Sequence, residues 1–481
     1  MNAARAGARR LAAAVPAALA VFWAAMPATA AASDLDGRYL SAAWALPFAG
    51  MLLSIALLPL AAPAFWHRHY GKVATGWTLA LVLPFAAVFG AAEALAQLAH
   101  ALFAEYLPFI VMLTALFTVA GGIHVRGNLR GSPGLNTALL AVGALLASLM
   151  GTTGASMLLI RPLIRANDDR VHKVHVVVFF IFIVSNIGGA LTPLGDPPLF
   201  LGFLNGVGFF WTTRHLLAPT LLSVALLLVL FHAIDRRIFR AEGVMPFDPT
   251  PDTRGIGFDG AANFWLLGGI VCLVLLSGLW QSPIGFEVLG TRVGLPGMVR
   301  DLGLLAITLL SLRITPPPVH AANRFGWEPM IEVAKLFAGI FLTIVPVIAM
   351  LRAGEEGPFG AVVAAVTGAD GRPLPAMYFW ATGVLSAFLD NAPTYLVFFH
   401  TAGGDAQALT GPKAATLAAI SAGAVFMGAV TYIGNAPNLM VKSIAESRGL
   451  RMPSFFGYMM WSLPILLPLF LLHTFLFFRT P

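Results

Sequence analysis

Residues 185–198 read Ser185-Asn186-Ile187-Gly188-Gly189-Ala190-Leu191-Thr192-Pro193-Leu194-Gly195-Asp196-Pro197-Pro198, and they interrupt an apolar run that begins near residue 174. Residues 431–438, Thr431-Tyr432-Ile433-Gly434-Asn435-Ala436-Pro437-Asn438, interrupt a second apolar run in the same way. Glycine and proline open a helix at such places and free backbone carbonyls and amides. In hydrocarbon those groups are costly, so they persist where they line a cavity or hold something.

Immediately before each broken run lies another interrupted segment. Residues 135–164 are broken at Gly151-Thr152-Thr153-Gly154 and flanked on both sides by basic residues, Arg126 and Arg130 before and Arg161, Arg165, Arg170 and Lys173 at and after its end. Both flanks therefore belong on the cytoplasmic side, and the segment reads as a re-entrant helical hairpin. Residues 376–400 are broken at Asp390-Asn391-Ala392-Pro393 between loops poor in Lys and Arg, which predicts a hairpin entering from outside.

Working outward, spans are predicted at 42–62, 75–98 and 106–124 before the first hairpin, then at 174–200 and 216–234. In the second half they fall at 263–280, 298–312 and 332–351, then 413–442 and 454–478. Arg68 and Lys72 mark an inside loop between the first two spans. Of the 29 Lys and Arg, 17 then lie in inside loops and eight outside, three belong to the N-terminal segment, and Lys335 sits at a span boundary. The fold class is thus an all-α polytopic membrane protein: inverted repeats of five spans each, with two re-entrant hairpins and two broken helices. Residues 33–240 form the first repeat, 241–262 a cytoplasmic linker and 263–481 the second repeat.

Residues 1–32 read as a signal peptide, with Arg5, Arg9 and Arg10 before an apolar stretch and small residues at Ala28, Ala30 and Ala32. Cleavage is expected near Ala30 or Ala32. The plan predicts a bacterial-type inner membrane protein whose mature N-terminus and C-terminus are periplasmic.

Composition agrees. Of 481 residues 58% are hydrophobic and 11% charged, against about a quarter charged in a soluble domain. The net charge of +7 sits in short loops and does not indicate nucleic acid. The single cysteine, Cys272, excludes a disulfide framework, and no GxxxxGK[ST] sequence exists to hold ATP phosphates. Neither a nucleophile–base pair nor a metal-ligand spacing suggests an enzyme, and no cofactor is expected.

A carboxylate inside a membrane usually handles protons or cations. Asp196 and Asp390 are the leading candidates, whereas Glu93 has no matching break and is expected to be structural or interfacial. Glu332 and Lys335, three apart on one helix, predict a local ion pair. His67, His69, His172 and His175 beside basic loops read as surface residues. The ion-binding set comprises Thr152, Thr153, Ser156, Asn186, Thr192, Asp196, Asp390, Asn391, Asn435 and Asn438, with Asp196, Asn186, Asp390 and Asn435 as sodium ligands. Taking Asn186 and Asn435 as counterparts gives 34 residues back to Thr152 in one half and 44 back to Asn391 in the other. On that pairing the halves do not align residue by residue.

The stretches SNIGGALTPLGDPP at 185–198, LDNAP at 389–393 and GNAPN at 434–438 resemble the ion transporter superfamily, particularly NhaD-type sodium/proton antiporters and the neighbouring citrate-transporter group. The resemblance runs over nearly all of the chain after the signal segment. It implies a homodimer in the lipid bilayer, with a scaffold part and a mobile part carrying hairpins and broken spans, and transport by an elevator-like movement. In carboxylate-transporting members Ser-Asn-Thr tripeptides at the hairpin tips contact substrate and sodium. This chain contains no Ser-Asn-Thr; its tips read GTTGAS and LDNAP. The expected function is therefore sodium/proton antiport, with sodium and protons as the transported or coupling ions. The alternative is a cation- or proton-coupled citrate or dicarboxylate carrier; a membrane-bound sensor or enzyme is disfavoured.

Overall fold

The computed structural model describes residues 35–127, 129–243 and 257–479. The signal segment and most of the 241–262 linker lie outside the described residues. Helix α1 (Leu46–Ala61) is followed by α2 (Pro63–Phe89), and α3 (Ala91–His100) runs through a π-helical stretch, Ala101–Tyr106, into α4 (Leu107–Gly121). A hairpin of α5 (Pro133–Met150) and α6 (Thr152–Ala166) comes next. The broken span consists of α7 (Val174–Ile183) and α8 (Pro197–Leu204), and α9 (Trp211–Glu242) ends this half.

The second half repeats the order. It contains α10 (Ala262–Leu279), α11 (Leu295–Ile314), the pair α12 (Glu328–Thr343) and α13 (Val345–Arg352), the hairpin α14 (Pro375–Phe388) and α15 (Asn391–Thr401), the broken span α16 (Ala414–Met427) and α17 (Ala436–Ser447), and α18 (Phe455–Phe477). Among the described residues nine helices are long and apolar enough to cross a membrane, or ten with the bent α12–α13 pair taken as one span. The chain is an all-α polytopic membrane protein.

Both hairpins and both broken spans occur where the sequence predicts them. The spans at 75–98 and 106–124 need correction. The second helix begins at Pro63 and ends at Phe89, so Arg68 and Lys72 lie within it, and the third begins at Ala91. Hydropathy found the apolar centre of this region, but Pro63 at a helix start and Gly90, with φ of 91°, set its boundaries. The span predicted at 332–351 bends by 44° between α12 and α13. Pro346 lacks the N–H that would bond the carbonyl of Leu342, which accounts for a bend there. Two small antiparallel strand pairs join loops, His124–Arg126 with Gly257–Asp259 and Gly285–Val288 with Thr291–Gly294.

Packing divides the helices into two groups. One contains α1, α2 and α12 together with α4, α10 and α11; the other contains α5, α6 and α9 with α14 and α16, and the two groups meet where α4 packs on α6 and α13 on α15. The broken spans run through the middle of the second group, where α7 and α16 are almost wholly buried. The inversion is visible along α9, whose 32 residues extend about 48 Å. Near its C-terminal end Asp235 accepts from Asn136 at the base of the first hairpin. At its N-terminal end Trp211 donates to the carbonyl of Thr410, just beyond the second hairpin. The hairpins thus enter from opposite ends, and their tips meet between.

Candidate functional site

The meeting point is Asp196, 1% exposed. It occupies the N-cap of α8, yet its side chain does not cap that helix. One carboxylate oxygen accepts from the Thr152 hydroxyl at 2.9 Å and from the Asn435 amide at 3.0 Å. The other accepts from the Asn391 amide at 2.6 Å. Each donor comes from a different interruption: Thr152 from the first hairpin tip, Asn391 from the second, Asn435 from the second broken span. Asn435 likewise sits at the N-cap of α17 without capping it.

Asp196 and Asn435 occupy equivalent places. Thr192, four residues before Asp196, donates its hydroxyl to the carbonyl of Ser148, 44 residues upstream. Thr431, four residues before Asn435, donates to the carbonyl of Ala387, also 44 residues upstream. Gly189 and Gly195 approach each other as Gly428 and Gly434 do. All these pairs share the 239-residue displacement that separates Asp196 from Asn435, and the same displacement matches Thr152 with Asn391 and Gly151 with Asp390. The pairing of Asn186 with Asn435 is therefore corrected. On the observed pairing both halves have the same 44-residue hairpin-to-break spacing.

The remaining predicted residues form concentric supports. Asn186 donates to the side-chain oxygen of Asn438 at 2.8 Å and accepts from Asn435 at 3.2 Å. Asn438 in turn donates to the carbonyls of Gly428 and Thr431, tying off backbone opened by the break. Ser156 and Ser185 share a 2.9 Å hydroxyl contact behind the tip. Asp390 accepts from the backbone N–H of Ala392 and caps α15; it does not bond Asp196. Thr153 lines a cavity beside the site without a side-chain bond to Asp196.

Four helix N-termini, those of α6, α8, α15 and α17, converge here, and their partial positive charges oppose the buried carboxylate. Gly151 makes the first tip possible: its φ of 82° is strained for any residue with a Cβ. The adjoining cavity has a volume of about 100 Å³ and lies between the tips and an apolar wall from α4 and α12, including Leu116, Phe117, Val333 and Phe337. No Lys, Arg or His lines it. A second, more open cavity of about 540 Å³ shares Asp390 and Asn435 with it and extends past Arg161, Arg324 and Glu332. The Asn391 side-chain oxygen is buried without a hydrogen-bond partner.

A family model described as "Putative citrate transport" matches residues 37–478. The chain belongs to this family of transporters. It is 26% identical over 334 residues to an uncharacterized transporter of Mycobacterium tuberculosis, covering 66% of this chain and 71% of the relative. It is also 26% identical over 326 residues to a 46 kDa membrane protein of Mycobacterium leprae, with the same coverage.

Several residues depart from the sequence reading. His175 is no surface residue: it is 2% exposed and bonds Asp235 at 2.8 Å. Asp235 also pairs with the buried guanidinium of Arg170 at 2.6 Å, and Arg170 reaches Glu242 at 3.1 Å. Sequence reasoning missed this cluster because Asp235 precedes Arg236 and Arg237 and reads as part of a basic inside flank. Its four-residue spacing from Phe231, on the buried face of α9, was the available signal. Lys335 lies over the Tyr70 ring at 5.4 Å, and no ion pair joins it to Glu332 among the described residues. Glu93 accepts from Gln97 one turn away, as befits a structural role.

Proposed function

We propose that this transporter is a sodium/proton antiporter in which Asp196 binds the two ions alternately. The observation carrying this reading is a buried carboxylate held by three neutral donors, beside a small cavity lined by no cationic side chain. An isolated buried charge is costly, so the carboxylate attracts either a proton or a cation. Both ions need the same oxygens, and their competition gives exchange. Breaking one amide contact would open a position beside Asp196 for a cation, with the unpartnered Asn391 oxygen as a further ligand. Asp390 would receive the ion from the wider cavity. Thr153 and the opened backbone would complete its route.

The two packing groups support an elevator-type cycle. Hairpins and broken spans form one body that faces an apolar α4–α12 wall across the cavity. At its margins Arg165 bonds the Val125 carbonyl, Arg352 bonds His400 and Arg324 bonds Ser447, contacts that would have to exchange during movement. Placement in an inner membrane with periplasmic termini, cleavage of the signal segment and homodimerisation belong to the same proposal.

A second reading rests on the four helix N-termini, whose summed partial charge favours anions. In it, a carboxylate such as citrate binds against them, coupled to a cation at Asp196. Proteoliposomes loaded with a pH-sensitive dye test both. Sodium chloride alone should dissipate an imposed pH gradient. If sodium has no effect and citrate alone moves protons, antiport is wrong and the carboxylate reading stands.

A further inference from the structure

The C-terminal end of α9 presents two chemically opposite faces. On the inner face, Asp235 is bonded to Arg170, His175 and Asn136, and Glu242 to Arg170 and the backbone N–H of His172. Both carboxylates of this end are thereby committed inward. On the outer face Arg236, Arg237 and Arg240 are exposed, and no ion pair engages them among the described residues. Arg236 and Arg240 stand one turn apart on the same side of the helix.

These arginines border a groove of about 640 Å³ between α9 and α5. His232 forms one wall and is held through Nδ1 by the Thr137 hydroxyl of α5 at 3.0 Å. Toward the middle of the helix the groove continues over Leu228 and Val229, the latter 69% exposed, and exposed Leu226 extends the apolar strip. Three guanidiniums without an ion-pair partner among the described residues, above a hydrocarbon-like strip, match a phosphate carrying an acyl chain. Orienting a membrane protein needs positive charge in a loop, but it does not need this arrangement.

We propose that this groove is a binding site for an anionic phospholipid, its headgroup phosphate held by Arg236, Arg237 and Arg240 and one acyl chain lying along Val229 and Leu226. Arg donors suit phosphate oxygens through their forked geometry, and basic clefts between membrane helices are suited to anionic headgroups. A lipid there bridges α9 to the first hairpin through α5 on the outside, as the Asp235 cluster does inside. The site is separate from Asp196 and does not depend on which ion is transported.

The test uses the full chain, delipidated and returned to phosphatidylcholine with or without phosphatidylglycerol. Melting temperature and lipid retained in native mass spectrometry are the readouts. Phosphatidylglycerol should raise the melting temperature by several degrees and remain bound. The R236Q/R237Q/R240Q variant should lose both effects, whereas R130Q/R451Q should retain them. The single variants R236Q, R237Q and R240Q should show graded loss of bound lipid, which keeps the test decisive if the triple variant does not fold. An equal phosphatidylglycerol effect in wild type and variants would overturn the proposal. So would reproduction of the shift by inorganic phosphate alone, which would make this a free-phosphate site, or no preference for phosphatidylglycerol.

Discussion

The two crossing points of the chain are built alike and differ in one decisive atom type. In each half a threonine braces a broken span against its hairpin, two glycines pack backbone to backbone, and a short polar residue stands at the next helix N-terminus. That residue is Asp196 in the first half and Asn435 in the second, in direct contact at 3.0 Å. The first half supplies an ionisable group and the second a donor of nearly the same shape. Duplicated architecture therefore provides the pocket, while the exchange of Asp for Asn between its two equivalent N-caps, and of Gly151 for Asp390 between its two tips, makes the halves chemically unlike.

The largest expected effect comes from erasing that difference. D196N should reduce sodium-dependent exchange at least about a hundredfold while leaving the protein folded, because the side chains are nearly isosteric. Retained exchange in the dye assay would break the assignment. Moving the carboxylate is the sharper test: D196N/N435D should recover part of the activity lost in D196N. N435D alone places two carboxylates together, which raises the proton affinity of the pair. The proton is then held to higher pH, so the onset of sodium exchange should move to the alkaline side of wild type.

The backbone approaches are similar but unequal. A Cβ at Gly195 would lie 2.0 Å from the Gly189 carbonyl oxygen, and one at Gly434 2.6 Å from that of Gly428. G195A should cost about 3 kcal/mol and G434A about 2 kcal/mol, the difference being read from unfolding in detergent. The threonine braces should be equivalent. T192V and T431V should each cost about 1–2 kcal/mol, and a large inequality would show that the halves carry different loads. The smallest stability change is expected for D390N, since Asn also caps helices. Melting should hardly move, while the sodium concentration giving half-maximal exchange should rise severalfold.

The hairpins and broken spans were legible because Gly, Pro and polar residues inside apolar runs are strong local signals, and basic flanks gave the hairpin direction. Nine of the ten predicted binding positions make polar bonds around the site, and Thr153 lines its cavity. Less legible were the ends of α2 and α3. There the basic residues Arg68 and Lys72 lie in a helix, because long side chains can extend from it to the membrane surface. His175 and Asp235 escaped notice because a buried ion pair is defined by partners about 60 residues apart.

The sequence by itself determined that this chain crosses the membrane repeatedly, where its helices break, and which short polar residues stand at the breaks. These are consequences of local chemistry: apolar length, lost backbone bonds and loop charge. Tertiary structure alone decided that Asp196 is the shared centre, that Asn435 rather than Asn186 is its counterpart, and that Asp390 is a cap at the margin. Those relations require two hairpins from opposite ends to meet, and contacts between residues 195 and 239 apart are fixed by packing rather than by any local signal.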